Sequence, residues 1–105
     1  MNITILQEKN PTFHVLEGQK FNRKDYKIVY KTTAIKFAGN PGIEHKVLLE
    51  MLFERFNRGN YPEDYKGHSM SVGDIVVLDC FVYVCKNVGW EMIEWEKDKI
   101  FGKEQ

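Results

Sequence analysis

Residues 43–57 read IEHKVLLEMLFERFN, and this stretch decides the fold. At about 100° per residue, its apolar side chains spread over more than half of a helix circumference, which is broader than the stripe of a surface helix. They are Val47, Leu48, Leu49, Met51, Leu52, Phe53 and Phe56. The pattern predicts a helix that lies in the concavity of a sheet. Asn40-Pro41-Gly42 predicts its start, since Asn caps helices and Pro is tolerated in the first turn.

The segments around this helix have the patterns of short strands. Alternation predicts a strand over residues 26–31, with Tyr26, Ile28 and Tyr30 on one face. Two apolar runs, residues 75–78 and 81–84, are joined by Asp79-Cys80 as a two-residue hairpin loop. Further strands are predicted over residues 3–6, 12–16 and 90–95, and residues 32–38 continue the strand before them or form another. The expected class is α+β: a curved, mostly antiparallel sheet, or a small barrel, packed around one main helix.

Composition indicates one folded domain. The chain has 105 residues, 43% of them hydrophobic, and its fifteen basic side chains balance fifteen acidic ones. That length leaves room for one core, and the hydrophobic fraction excludes a disordered chain. There is no apolar run of about 20 residues to cross a membrane, and the first residues lack the features of a signal peptide. We expect a cytoplasmic protein without a membrane partner, with one domain over residues 1–105 that ends in a charged tail, 96–105.

The residues predict no metal site and no cofactor. Cys80 and Cys85 lie five apart around a predicted strand, so we expect free thiols, buried or half-buried, on opposite faces. The three histidines lack the spacing of metal ligands. Residues 67–71 match a nucleophile elbow only in part, because the fifth position is Ser71 and a strand follows instead of a helix.

Three segments resemble the YodL-like domain family. They read LEMLFERFN over residues 49–57, PEDYKGHSMSVGDIV over 62–76, and YVC over 83–85 followed by Gly89-Trp90. The resemblance covers about residues 12–95. It implies a bacterial domain, found as small proteins or inside large polyvalent proteins of conjugative elements and phages, to which no shared catalytic activity is assigned. Many relatives carry a longer insertion where this chain has Asp79-Cys80.

The leading hypothesis is a non-enzymatic protein-interaction module with an unidentified protein partner. The polar loop after the helix is rich in aromatic residues, which suit interfaces. The predicted contact residues are Tyr61, Tyr65, His68, Ser69, Ser71 and Trp90. The competing interpretation is that they hold the loop against the sheet. A homodimer is also open, because 13% aromatic content in a small domain often leaves an apolar patch exposed.

The distribution of charge suggests a second function. Residues 1–58 hold ten basic and six acidic side chains, and the rest of the chain is correspondingly acidic. The densest basic run contains Lys20, Arg23, Lys24, Lys27 and Lys31. It is a solvated face or an anion contact, and the second reading predicts a small nucleic-acid- or nucleotide-binding domain with a barrel-like fold.

A third hypothesis is a hydrolase-like enzyme that uses Asp74, His68 and Ser69.

Overall fold

The computed structural model describes residues 1–59 and 61–96. Its strands are β1 (Asn2–Glu8), β2 (Tyr26–Thr33), β3 (Ile75–Leu78), β4 (Phe81–Cys85) and β5 (Trp90–Ile93), and its α-helices are α1 (Ala34–Ala38) and α2 (His45–Arg55). A 3-10 turn, Arg23–Asp25, precedes β2. The predicted α+β class is confirmed, whereas most of the predicted charged tail lies outside the described residues.

The five strands form one antiparallel sheet in the order β2-β1-β3-β4-β5. The central strand β3 is apolar throughout because both of its faces are covered. The sheet is not closed, since β2 and β5 are its two edges and do not pair with each other. The prediction of a small barrel is therefore wrong. A single parallel bridge joins Phe21 to Trp95 beside the β5 edge.

Each face of the sheet carries its own apolar cluster. On one face Ile3 and Ile5 of β1 pack with Leu48, Leu52 and Phe56 from α2 and its C-terminal cap. On the other face a smaller cluster contains Leu6, Phe21, Tyr26, Ile75, Val82 and Val84. Fully burying one such side chain contributes about 1.5–3 kcal/mol. The α2 face supplies most of the core because its cluster contains more buried side chains than the other one.

Helix α2 is shorter and less covered than its pattern predicts. It begins at His45 because Asn40 uses its side chain in a turn, accepting a hydrogen bond from the Gly42 amide (2.9 Å). Only one side of the helix is buried, whereas Val47, Met51 and Phe53 are 37–45% exposed. The expectation that the sheet covers more than half of the helix surface is thus wrong at these three residues. The helix lies across one face of an open sheet, which cannot surround it.

Two predicted strand segments have other structures. Residues 12–16 form no strand, because Phe13 adopts a left-handed conformation (φ 61°) that breaks an extended run. Residues 34–38 form helix α1, which Thr33 caps by accepting a hydrogen bond from the Lys36 amide and which Gly39 ends at φ 72°. Both signals of a short helix are in the sequence, a Thr cap and a Gly stop.

A bulge changes which side chains of β2 share a face. The register shifts between Ile5 and Leu6, so that Val29 has no partner of its own on β1. Because directly paired residues share a face, Tyr30 (opposite Ile5) turns to the α2 side and Ile28 (opposite Leu6) turns to the other side. The prediction that Tyr26, Ile28 and Tyr30 share one face is wrong for Tyr30.

The predicted Asp79-Cys80 hairpin loop is confirmed between β3 and β4. Asp79 takes the left-handed conformation (φ 56°) that the turn requires, and its carboxylate accepts a hydrogen bond from the Asn2 amide (2.8 Å). Cys80 is exposed and Cys85 buried, both as free thiols, so the expectation that both are at least half-buried fails for Cys80. Among the described residues, no helix is long and apolar enough to cross a membrane.

Candidate functional site

The loop after α2 is held by one buried side chain of β1, Gln7, which is 0% exposed. Its Nε2 lies 3.0 Å from the Tyr65 hydroxyl oxygen, 3.0 Å from the His68 carbonyl oxygen and 2.9 Å from Asp74 Oδ2. Its Oε1 accepts a hydrogen bond from the His68 amide (3.0 Å). We call this arrangement of Gln7, Tyr65, His68 and Asp74 the Gln7 clamp. It joins residues 58–67 positions apart in the sequence.

Two further bonds complete the clamp. Tyr65 donates its hydroxyl hydrogen to the His68 carbonyl oxygen, and Asp74 Oδ2 also accepts from the Ser71 amide (2.9 Å). Gly67 fits against Gln7 because it has no side chain: a Cβ there would lie 2.2 Å from Gln7 Oε1. The segment that resembles the family therefore has a structural role, since Tyr65, Gly67 and Asp74 all contact one buried amide.

Burial controls the charge of the clamp carboxyl. Desolvation raises the pKa of Asp74 from 3.8 to about 6. The hydrogen bonds from the Ser71 amide and Gln7, and the charge of His68, act in the opposite direction, whereas Glu8 adds to the rise. Burial, and then the Asp74 charge, raise the pKa of Tyr65 to about 12. The buried carboxyl of Asp74 therefore takes up a proton at a higher pH than an exposed aspartate does.

This shift predicts a pH-dependent stability. Between pH 3.8 and about 6 the folded protein keeps a proton on Asp74 that the unfolded chain has lost, so the free energy of unfolding falls as pH rises through this window. A shift of this size corresponds to roughly 2–3 kcal/mol. Urea unfolding from pH 3.5 to 7.5 should show this decline in the native chain and a smaller one in Asp74→Asn. Asp79→Asn, at an exposed turn carboxylate, is the matched control; equal slopes in native protein and Asp74→Asn would contradict the prediction.

The loop tyrosines stack on the end of α2. The Tyr65 ring lies 4.7 Å from the Phe56 ring and 4.9 Å from the Tyr61 ring, measured between centroids. The Tyr61 hydroxyl is 2.6 Å from Ser69 Oγ. The structure therefore brings Tyr61, Tyr65, His68 and Ser69 together and leaves both tyrosines only partly exposed.

The contacts of the three predicted hydrolase residues do not form a relay. The Ser69 hydroxyl is paired with Tyr61, and Asp74 Oδ2 is paired with Gln7 and the Ser71 amide. His68 Nδ1 lies 2.6 Å from the Ser69 carbonyl oxygen, and its Nε2 is buried without a hydrogen-bond partner among the described residues. A nucleophile–base–carboxylate chain needs these groups to bond to one another.

Trp90 lies apart from the other predicted contact residues. It lines a groove of about 490 Å³ between α2 and the β4–β5 hairpin. The groove also contains His45, Leu49 and Glu50 of α2 and Tyr83 of β4. Tyr83 and Trp90 share a face because Tyr83 pairs with Met92, and Cys85 with Trp90. The alternation of side chains within each strand is visible in the sequence, whereas no sequence pattern marked His45 and Glu50 as groove residues.

The predicted anion-contact residues are all exposed but are not on one face. Lys27 pairs with Gln7 and Lys31 with Thr4, which lie on opposite sides of β1, so the β2 bulge separates the two lysines. Arg23 uses its Nη1 to donate to the Tyr26 carbonyl oxygen (3.0 Å). Nucleic-acid binding stays a prediction, for which an electrophoretic mobility shift at low salt is the test.

The chain matches a known protein family over most of its length. The family model described as "YodL-like domain" matches residues 5–95. Neither the curated proteins nor the solved structures contain a match. The matched range contains the part of β1 that carries Gln7, the loop after α2, and the strands that carry Tyr83 and Trp90.

Proposed function

The chain belongs to the YodL-like domain family, and from this premise we propose that it is a non-enzymatic protein-interaction module whose contact surface is the solvent side of α2. The observation that carries the proposal is the exposure of Val47, Met51 and Phe53 on a helix whose other side is completely buried. Scattered exposed apolar residues are ordinary, but Val47 and Met51 lie one turn apart on one helix face and Phe53 lines the same depression, a grouping that is typical of protein contacts. The groove with Trp90 adjoins this surface, since Lys46 and Glu50 line both.

The shape of this surface supports a protein partner. An open depression of about 690 Å³ lies along α2, and its lining mixes the three apolar side chains with charged ones, Lys46, Glu50, Glu54 and Arg58. Protein interfaces combine apolar and polar surface in this way. In this proposal Trp90 is a contact residue. The other predicted contact residues hold the loop after α2 in place: Tyr61, Tyr65, His68, Ser69 and Ser71.

Site-specific cross-linking tests the proposal. A photo-reactive amino acid at Met51 should give a discrete adduct with another protein in the host cell. The same group at Leu16, which is also apolar and is 64% exposed, serves as the control for non-specific capture. Val47→Ser should weaken the Met51 adduct without changing the melting temperature. An adduct of twice the chain's mass would identify a second copy as the partner, and no adduct at Met51 would overturn the proposal.

The supporting role of the loop gives a separate prediction. Tyr65→Ala removes the ring packed against Phe56 and Tyr61 and should lower the free energy of unfolding by roughly 2 kcal/mol. Tyr65→Phe keeps the ring and should cost only about 1 kcal/mol, the usual value of one hydrogen bond. Thermal unfolding measures both. If Tyr65→Ala instead leaves stability unchanged and abolishes the Met51 adduct, Tyr65 is itself a contact residue.

The cytoplasm and a mobile genetic element are the setting that we propose for this module. The free, exposed thiol of Cys80 suits a reducing compartment. The link to conjugative elements and phages rests on the family resemblance alone. Fractionation of the host cell tests the first point.

A further inference from the structure

The groove beside α2 has three aromatic walls. His45 Nδ1 lies 2.7 Å from the Tyr83 hydroxyl oxygen, and the His45 ring meets both Phe81 and Tyr83 edge-on, with centroids 5.3 and 5.6 Å away. These contacts fix His45 and Tyr83 in place. Trp90 of β5 forms the third wall. The groove is therefore preformed, which reduces the entropy lost when a ligand enters.

The carboxylate-bearing residue Glu50 lines this groove. A smaller cavity of about 110 Å³ adjoins the groove, and both cavities are lined by Glu50, Gly89 and Trp90. The charge of Glu50 contributes to the raised pKa of the Cys85 thiol, behind the desolvation and the Asp74 charge, so its carboxylate is near β4. Glu50 and Trp90 thus both line the groove and the smaller cavity beside it.

Two lysines line the cavities beside Glu50. Lys86, which lines the smaller cavity, is paired with Glu91 at 3.2 Å. Lys46 lines the larger cavity but not the smaller one. Within residues 1–59 and 61–96 no ion pair involves Glu50, whereas Glu54, one turn further along α2, is paired with Arg58 at 2.9 Å. The groove therefore combines aromatic faces with an exposed carboxylate that is in no ion pair among the described residues, and Lys46 lines it as well.

We propose that this groove binds one arginine side chain presented by a segment of the partner protein. The inference rests on the proposed interaction function and names the chemistry that its surface recognises. A planar guanidinium stacks on an indole face and donates two parallel hydrogen bonds to a carboxylate, which a lysine ammonium does not do. The volume of the groove is within the range of small-ligand sites.

The test is a titration of the isotopically labelled full-length chain, followed by NMR. The probe is the capped peptide acetyl-Gly-Arg-Gly-amide, and the matched control peptide carries citrulline, which has the same shape without the charge. The chain contains two tryptophans, so the Trp95 indole, packed 5.5 Å from the Tyr26 ring in the other cluster, is an internal control. The Trp90 indole N–H should shift and saturate with a Kd on the order of 1 mM, as one side chain allows.

Variants separate the carboxylate from general surface charge. Glu50→Gln should weaken binding of the arginine peptide at least fivefold, and Trp90→Leu at least as much. Glu54→Gln, which removes an equal charge one turn away, should change the Kd less than twofold. Both glutamates are exposed, so neither substitution should alter the melting temperature.

The results separate this inference from the proposed function. Equal shifts with the arginine and citrulline peptides, or an unchanged Kd in Glu50→Gln, would overturn the arginine site. A Met51 adduct together with either of those results would leave the interaction function standing and remove only the inference. Saturable, charge-dependent shifts of Trp90 without any Met51 adduct would support the site and remove the α2 surface.

Discussion

Replacing Gln7 with Leu is expected to lower the free energy of unfolding by roughly 4 kcal/mol, although the two side chains are similar in volume. The Leu side chain cannot accept the hydrogen bond of the His68 amide, and it cannot donate to Asp74 Oδ2 or to the Tyr65 hydroxyl. Each buried polar group left without a partner costs about 1–3 kcal/mol, which outweighs the gain from burying an apolar side chain. Small domains have only about 5–15 kcal/mol of stability, so this single change removes a large share of it.

Urea unfolding at pH 7 measures this effect, with Gln19→Leu as the matched control. Gln19 makes one loop hydrogen bond, accepting from the Leu16 amide at 2.9 Å, and it is only partly buried. That variant should lose about 1 kcal/mol or less. If Gln7→Leu and Gln19→Leu lose equal stability, the clamp does not hold the loop and the loop owes its position to the tyrosine stack.

Local pattern was enough to predict the elements whose structure depends on neighbouring residues. The β3–β4 hairpin followed from two apolar runs separated by Asp79-Cys80, and helix α2 followed from apolar residues at helical spacing. Helix α1 was missed because residues 32–38 also suit a strand, and the Thr33 cap with the Gly39 stop decided the outcome.

Pairing between strands that are distant in the sequence determines features that the local sequence pattern does not predict. The bulge opposite Ile5 and Leu6 sends Tyr30 to the α2 face and exposes Ile28, and it also separates Lys27 from Lys31. A bulge is set by the partner strand, so no period within β2 reveals it. The same reason explains the exposed side of α2, since the helix pattern predicts amphipathicity but not how far an open sheet covers it.

Gln7 was the residue of the site that sequence reasoning missed, although its position in β1 carried a signal. Ile3, Ile5 and Gln7 share the parity that faces α2, so a polar residue stands where the pattern requires a buried one. Buried amides need partners, and the polar loop of residues 61–74 supplies them. What the sequence could not show is which loop groups reach Gln7, because they are 58–67 positions away.

Gly67→Ala is expected to destabilise the protein by an equally large amount, roughly 4 kcal/mol, for a steric reason. The new Cβ would lie 2.2 Å from Gln7 Oε1 and 3.0 Å from both Gln7 Cδ and the Tyr65 hydroxyl oxygen. Gln7 is held from the other side by Asp74, so it cannot move without breaking its bonds. Overpacking costs about 1–3 kcal/mol and the broken bonds of buried groups add to it.

The measurement is thermal unfolding of Gly67→Ala beside Gly42→Ala. A Cβ at Gly42 would meet only Asn40 Oδ1, at 3.9 Å, so this control should be neutral or slightly stabilising through the unfolded chain. A loss of 4 kcal/mol corresponds to a fall in Tm of roughly 15–25 °C for a domain of this size. A Gly67→Ala protein that melts with the control would mean that Gln7 yields freely, and the clamp could then no longer explain why glycine occupies residue 67. The double variant Gly67→Ala with Gln7→Ala tests the clash directly. Because the obstructing amide is removed, the alanine at residue 67 should then lower the stability very little. That non-additive result is the one expected when two positions are in direct contact.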